Sequence, residues 1–206
     1  MMKVKKILSV LLPVLLIVVG YPVFKASALN YGQGTYGTCT YSTCGITITS
    51  SSNINVDLTP DAGGKCSTNY DNVSVLTDSS TGYSLSMSTN NSSTSLSNGS
   101  SNITAVSGTF TSPSAIGING WGYRIDNAAG SGFGPGPTSV LANSTYPMSL
   151  LFAGAPNNTG SPTTIVNSVL PANPAAVTKV WYGVCADTGI SFGTYRGTIL
   201  YSATTN

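Results

Sequence analysis

The sequence has 206 residues, 7% of them charged and 41% hydrophobic, with a formal net charge of +2; an average soluble domain is about 25% charged. Its polar surface is therefore neutral, built from 30 Ser, 26 Thr and 17 Asn among 23 Gly and 11 Pro. His and Glu are both absent, which removes histidine general bases, HExxH zinc sites and histidine-bound metals, and the length suits one domain.

Residues 1–28 read as a secretory signal peptide. Lys3, Lys5 and Lys6 precede the apolar run Ile7 to Gly20, and Ala26-Ser27-Ala28 forms a small-x-small cleavage signature. Cleavage is expected after Ala28, because Pro13, Gly20 and Pro22 interrupt the run. The alternative is an uncleaved signal anchor, since Ile7 to Phe24 spans 18 residues, near the lower limit for crossing a bilayer. The leader removes four of the eight basic residues and leaves Lys65, Arg124, Lys179 and Arg196 against six Asp, a net charge of −2. Such a chain has no electrostatic footprint for nucleic acid and no polybasic patch for anionic lipid. Membrane contact is expected only through the leader, if it stays uncleaved.

The four cysteines, Cys39, Cys44, Cys66 and Cys185, all follow the leader, and an even number in an oxidising compartment predicts two disulfides. Three pairings are open. Cys39–Cys44 with Cys66–Cys185 is preferred, because the first closes a tight loop and the second ties an early segment to a late strand. A four-cysteine zinc site needs close pairs at both ends, and only one loose pair exists.

Beyond the leader, residues 29–206 alternate with period two and show no helical periodicity. Ile46 and Ile48, then Ile54, Val56 and Leu58, mark two half-buried strands; Val73 and Val75 continue the pattern, and Tyr83, Leu85 and Met87 alternate with serines after a Thr-Gly turn. Weaker strand candidates are Asn102 to Val106, Gly120 to Asp126 and Met148 to Phe152. Val177 to Ala186 is apolar on both faces and is expected to be central, while Gly193 to Ala203 alternates and is expected to be half exposed. Segments 88–101, 127–138, 153–163 and 171–176 are rich in Ser, Asn, Gly or Pro and are expected as loops. The pattern predicts an all-β, two-sheet antiparallel sandwich, Greek-key or jelly-roll-like, in one domain preceded by a hydrophobic signal helix.

Chemistry is harder to place. Without His, a serine nucleophile has only Lys65 or Lys179 as a base, and neither lies in an SxxK pattern. Asp57 with Asp61, or Asp71 with Asp78, are the carboxylate pairs open to a glycosidase, but Asp in a β protein is more often a turn residue. Asn69 to Asn72 and Asp126-Asn127 offer calcium-binding oxygens without any calcium-loop motif. Trp121 and Tyr123 share a strand face with Ile125, and Trp181 shares one with Cys185; continuing apolar stripes, they are read as core. Were they exposed, Trp121, Tyr123 and Trp181 would form a stacking platform for sugars.

The stretch Asn30 to Gly37, the Ser-Thr-Gly-Tyr-Ser-Leu-Ser segment at 80–86, Gly120-Trp121-Gly122-Tyr123 and the closing Gly193 to Ala203 resemble exported β-rich surface proteins of ultrasmall candidate-phyla bacteria, with a pilus- or adhesin-like β-sandwich. The closing strand is also similar to terminal strands of Gram-positive surface domains. The resemblance implies a non-catalytic surface domain and carries over no functional residues. No LPxTG motif is present, so sortase anchoring is not expected. The expected protein is a secreted or cell-surface, structural or adhesive component without a cofactor, meeting an unidentified protein or glycan. A carbohydrate-binding module is the alternative, and an exported hydrolase the remote one.

Overall fold

The computed structural model describes residues 45–51 and 53–206. The leader with Ala26 and Ala28, and the pair Cys39 and Cys44, lie outside the described residues. All regular elements among the described residues are strands: β1 (Ile46–Thr49), β2 (Lys65–Thr77), β3 (Tyr83–Thr89), β4 (Leu96–Ser97), β5 (Asn102–Ala105), β6 (Ser114–Ala115), β7 (Gly120–Arg124), β8 (Ser144–Thr145), β9 (Leu151–Phe152), β10 (Thr163–Ser168), β11 (Ala172–Ala186) and β12 (Ile199–Thr205). The largest sheet runs β1-β2-β11-β7-β5-β4, with β8 also on β2; a second runs β10-β3-β12, and β6 pairs with β9. Every ladder is antiparallel except β5 with β7.

Strand alternation sorts the side chains into two cores. Val73 and Val75 of β2 share a face with Val180 and Val184 of β11 and meet Tyr83, Leu85 and Met87 of β3, Ile165 of β10 and Ala203 of β12. On the opposite face, Cys66 and Cys185 join Ile116, Met148 and Phe152 in a smaller cluster. The end of the large sheet between these clusters is covered on both sides, which is why Val180 to Ala186 reads as continuously apolar. Gly122 and Gly183 face each other in register and form a slot for Phe152. A Cβ on Gly183 would lie 2.6 Å from the Phe152 ring, closer than packing tolerates.

Several expected elements took other forms. Ile54, Val56 and Leu58 keep alternating burial without a ladder: Val56 and Leu58 pack on the main core, while Asn69 Nδ2 donates to the Asn55 carbonyl at 2.6 Å. Half-burial alone produces period two, so that alternation did not guarantee a strand. Conversely, β2 starts at Lys65, well before its apolar stripe. Its polar start is buried against the 139–143 loop, with Leu141 N–H donating to Thr68 Oγ1 at 3.0 Å and Asn143 N–H to Ser67 Oγ at 2.9 Å. Strand β4 lies inside the 88–101 segment expected as loop, β11 begins inside the one expected at 171–176, β10 forms where no element was expected beyond Thr163, and residues 193–198 form a loop before β12 instead of its first half.

Tyrosine hydroxyls join the layers. Tyr182 of β11 and Tyr201 of β12 hydrogen-bond through their hydroxyls at 2.5 Å. Tyr123 is fully buried, its hydroxyl beside Thr163 without a well-formed bond. Burial pushes the Tyr123 phenol up to about 12 and raises those of Tyr182 and Tyr201 as well. In the unfolded chain these phenols ionise near 10, so above that pH the unfolded state sheds protons that the native state keeps. Folding stability is therefore expected to be level below about pH 10 and then to fall, by roughly 1.4 kcal/mol per pH unit for Tyr123 alone. Urea unfolding between pH 8 and 12, with tyrosinate absorbance followed in parallel, checks this; stability unchanged up to pH 12 would contradict the burial.

Candidate functional site

One end of the sheets gathers two recesses that share Thr94 as a lining residue. The larger, about 320 Å³, is lined by Ser107, Thr109, Phe110, Ala155 and Thr163 among others. The smaller, about 100 Å³, is lined by Asn91, Ser93, Ser97, Trp121, Arg196 and Thr198 among others. Their walls are mostly hydroxyl, amide and small apolar groups, with Arg196 the single charged residue.

The walls are held by specific bonds. Trp121, 3% exposed, donates its indole N–H to the Thr94 carbonyl at 2.9 Å, so a core residue fixes the loop that divides the recesses. Ser97 and Arg196 exchange backbone hydrogen bonds at 3.0 and 2.9 Å, tying the β11–β12 loop to β4. Asn90 N–H donates to the Thr198 carbonyl at 3.0 Å, and Asn158 N–H to the Asn91 carbonyl at 3.1 Å. Tyr195 OH donates to the Ser191 carbonyl at 2.8 Å. Backbone polar groups of loops that might otherwise be satisfied by water are thus paired within the protein, which keeps the recess in one shape.

Of the residues singled out from sequence, Cys66 and Cys185 form a disulfide, opposed in register on β2 and β11. Trp121, Tyr123 and Trp181 are 3%, 0% and 1% exposed. Trp121 and Tyr123 lie in the main core, and Trp181 is covered by Tyr70 and Lys179, so the surface stacking platform considered for them does not form in this fold. Lys65 bonds Asp61 at 3.1 Å, and Lys179 Nζ lies 4.3 Å from the Tyr70 ring centre and 5.4 Å from that of Trp181. Neither lysine is hydrogen-bonded to a serine among the described residues.

Four of the six carboxylates, those of Asp61, Asp71, Asp126 and Asp187, are likewise engaged structurally, while Asp57 and Asp78 are exposed, so each carboxylate pair considered for a glycosidase has one member held in a structural contact and the other in solvent. Asp71, 5% exposed, accepts the Ser51 N–H at 2.8 Å. Asp126 accepts Arg124 Nε at 2.8 Å. Asp187 accepts Asn119 Nδ2 and the Gly189 N–H, and the Asn119 bond, foremost, holds its carboxyl below the usual range. Asn69, named for calcium, spends its carbonyl on the Tyr70 N–H and its amide on Asn55. No group of three or more Asp or Cys is placed to hold a metal among the described residues.

Comparison with protein-family models, curated proteins and solved structures finds no match for this chain.

Two features of this end were invisible in the sequence. One is the pairing of Ser97 with Arg196, which lie 99 positions apart; short bridges leave no periodic trace. The other is Phe192, 93% exposed on the loop that carries Arg196. Its neighbours Ile190 and Ser191 gave no signal that it would project.

Proposed function

We propose that the chain is an exported, non-catalytic cell-surface domain that works as an adhesive or structural envelope component. The observation that carries this reading is the pair of neighbouring recesses, lined by hydroxyl and small apolar groups, with Asn91 and Arg196 in the smaller, built from pinned loops of a β scaffold. Loops on a rigid β framework are a common place for binding residues, and small polar side chains make adaptable hydrogen bonds there. The lysines and most carboxylates are engaged in structural contacts, which suits binding better than acid–base chemistry. In this reading the β1-to-β4 sheet and the β10-β3-β12 sheet act as the two layers of a sandwich, and the leader directs export.

The test is made on intact cells. Surface labelling is expected to find the protein outside, and its deletion to reduce attachment to host cells or surfaces. Protein confined to the cytoplasm, or unchanged attachment together with hydrolase turnover that vanishes on replacing an Asp, would overturn the proposal.

A further inference from the structure

In so weakly charged a chain, the partner of each cation is informative. Lys65 is paired with Asp61. Arg124, 1% exposed, is bonded to Asp126 and to the carbonyls of Leu151, Gly134 and Pro135. Lys179 covers two aromatic rings. Arg196 alone has no carboxylate, ring or side-chain hydrogen bond among the described residues, and it lines the smaller recess.

Its position is also fixed. The reciprocal bonds with Ser97 hold its backbone, and the next residue is glycine in a place where a Cβ would lie 2.7 Å from Leu96 Cδ2. That contact is with the tip of one flexible side chain, so what fixes Arg196 at the recess is its pair of backbone bonds with Ser97. Around it stand Ser93, Ser97, Thr198 and Asn91, with Trp121 behind. Phe192 projects from the same loop, and aromatic residues and arginine are each enriched in binding interfaces.

We infer that this recess binds a carboxylated sugar, the sialic or uronic acid unit of a glycan, with Arg196 pairing its carboxylate and the surrounding hydroxyls and amide exchanging hydrogen bonds with the sugar's own. The inference rests on the adhesive reading and supplies its ligand. A guanidinium matches a carboxylate with two parallel hydrogen bonds. The recess, about 100 Å³, is too small to enclose a whole sugar and takes its carboxylate-bearing edge, leaving the rest of the unit outside. Polyanions such as nucleic acid are disfavoured, because the described residues carry four cations against six Asp, a net charge of −2.

The experiment is calorimetric titration of the purified full chain with sialyllactose and with trigalacturonic acid, each against its neutral counterpart, lactose or a neutral galactose trimer. The two acids distinguish the sources of the carboxylate. Binding of at least one acidic sugar and not of its neutral partner is expected. Arg196→Gln is expected to weaken it at least about tenfold, and Arg196→Lys, which keeps the charge but loses the fork, to weaken it several-fold. Lys179→Gln, an exposed cation outside the recess, is expected to change nothing. No binding of either acid, equal binding of neutral sugars, equal losses in the Lys179 and Arg196 variants, or preference for an acidic peptide would each overturn the inference. Because these measurements use isolated protein, such a failure removes the ligand while the surface reading still stands or falls on the cell experiments.

Discussion

Replacing Trp181 with alanine is expected to cost about 3 to 5 kcal/mol of folding stability. The indole is 1% exposed on β11, a strand paired on one side with β2 and on the other with β7. Tyr70 packs edge-on against it at 4.8 Å between ring centres, Arg124 sits opposite it in register, and the Lys179 ammonium lies 5.4 Å from its ring centre. A strand laddered on both sides cannot shift inward to close the space the ring leaves, so the cavity cost is added to the lost burial. One term opposes this. The Trp181 indole N–H is buried without a partner, and such a donor is itself unfavourable by about 1 to 3 kcal/mol. Trp181→Phe, which keeps a ring and deletes the donor, is therefore expected to cost clearly less than alanine. Urea denaturation of the two variants measures both; an alanine loss under about 1 kcal/mol, the range of surface positions, would contradict the packing.

The double variant Cys66→Ala, Cys185→Ala is expected to lose on the order of 5 kcal/mol. The bridge closes 119 residues, and the chain-entropy argument gives that size for so long a loop. Both cysteines are fully buried beside Ile116, Met148 and Phe152. A reductant therefore reaches the bridge only after the chain opens, and the substituted protein is the better probe than dithiothreitol. Peptide mapping without reduction identifies the pair, and comparison of denaturation midpoints gives its contribution. A loss below about 1 kcal/mol, or free thiols at both positions in the native protein, would refute the role assigned here.

The all-β framework was legible wherever burial on one face imposed alternation over several residues. Val73 with Val75, Tyr83 to Met87 and the late strand ending at Ala203 all fall in ladders for that reason. The Cys66 to Cys185 link was legible only as the preferred one of three pairings, because it ties an early segment to a late strand. The polar half of β2 was not. Ser67, Thr68 and Asp71 are buried by bonds to loops that contact β2 only in the folded chain, and a serine looks the same in sequence whether it faces water or a backbone amide. The candidate site was less legible still. Its central cation stands out only when the other three have found partners: Asp61 four positions from Lys65, Asp126 two from Arg124, and the rings of Tyr70 and Trp181 beside Lys179.

The pairing of β12 with β3 joins Ile199–Thr205 to Tyr83–Thr89, and β11 joins residues 172–186 to β2. In kinetic terms, the smaller core waits for Cys185, and the main core lacks its last strand until a ribosome has delivered residues 199–205. Contacts of such long sequence separation form slowly, and the strands already synthesised wait with unpaired edges. Collapse to the native state is accordingly a late, cooperative event of the whole domain. A chain with this wiring cannot close its main core for as long as residues 199–205 are held back.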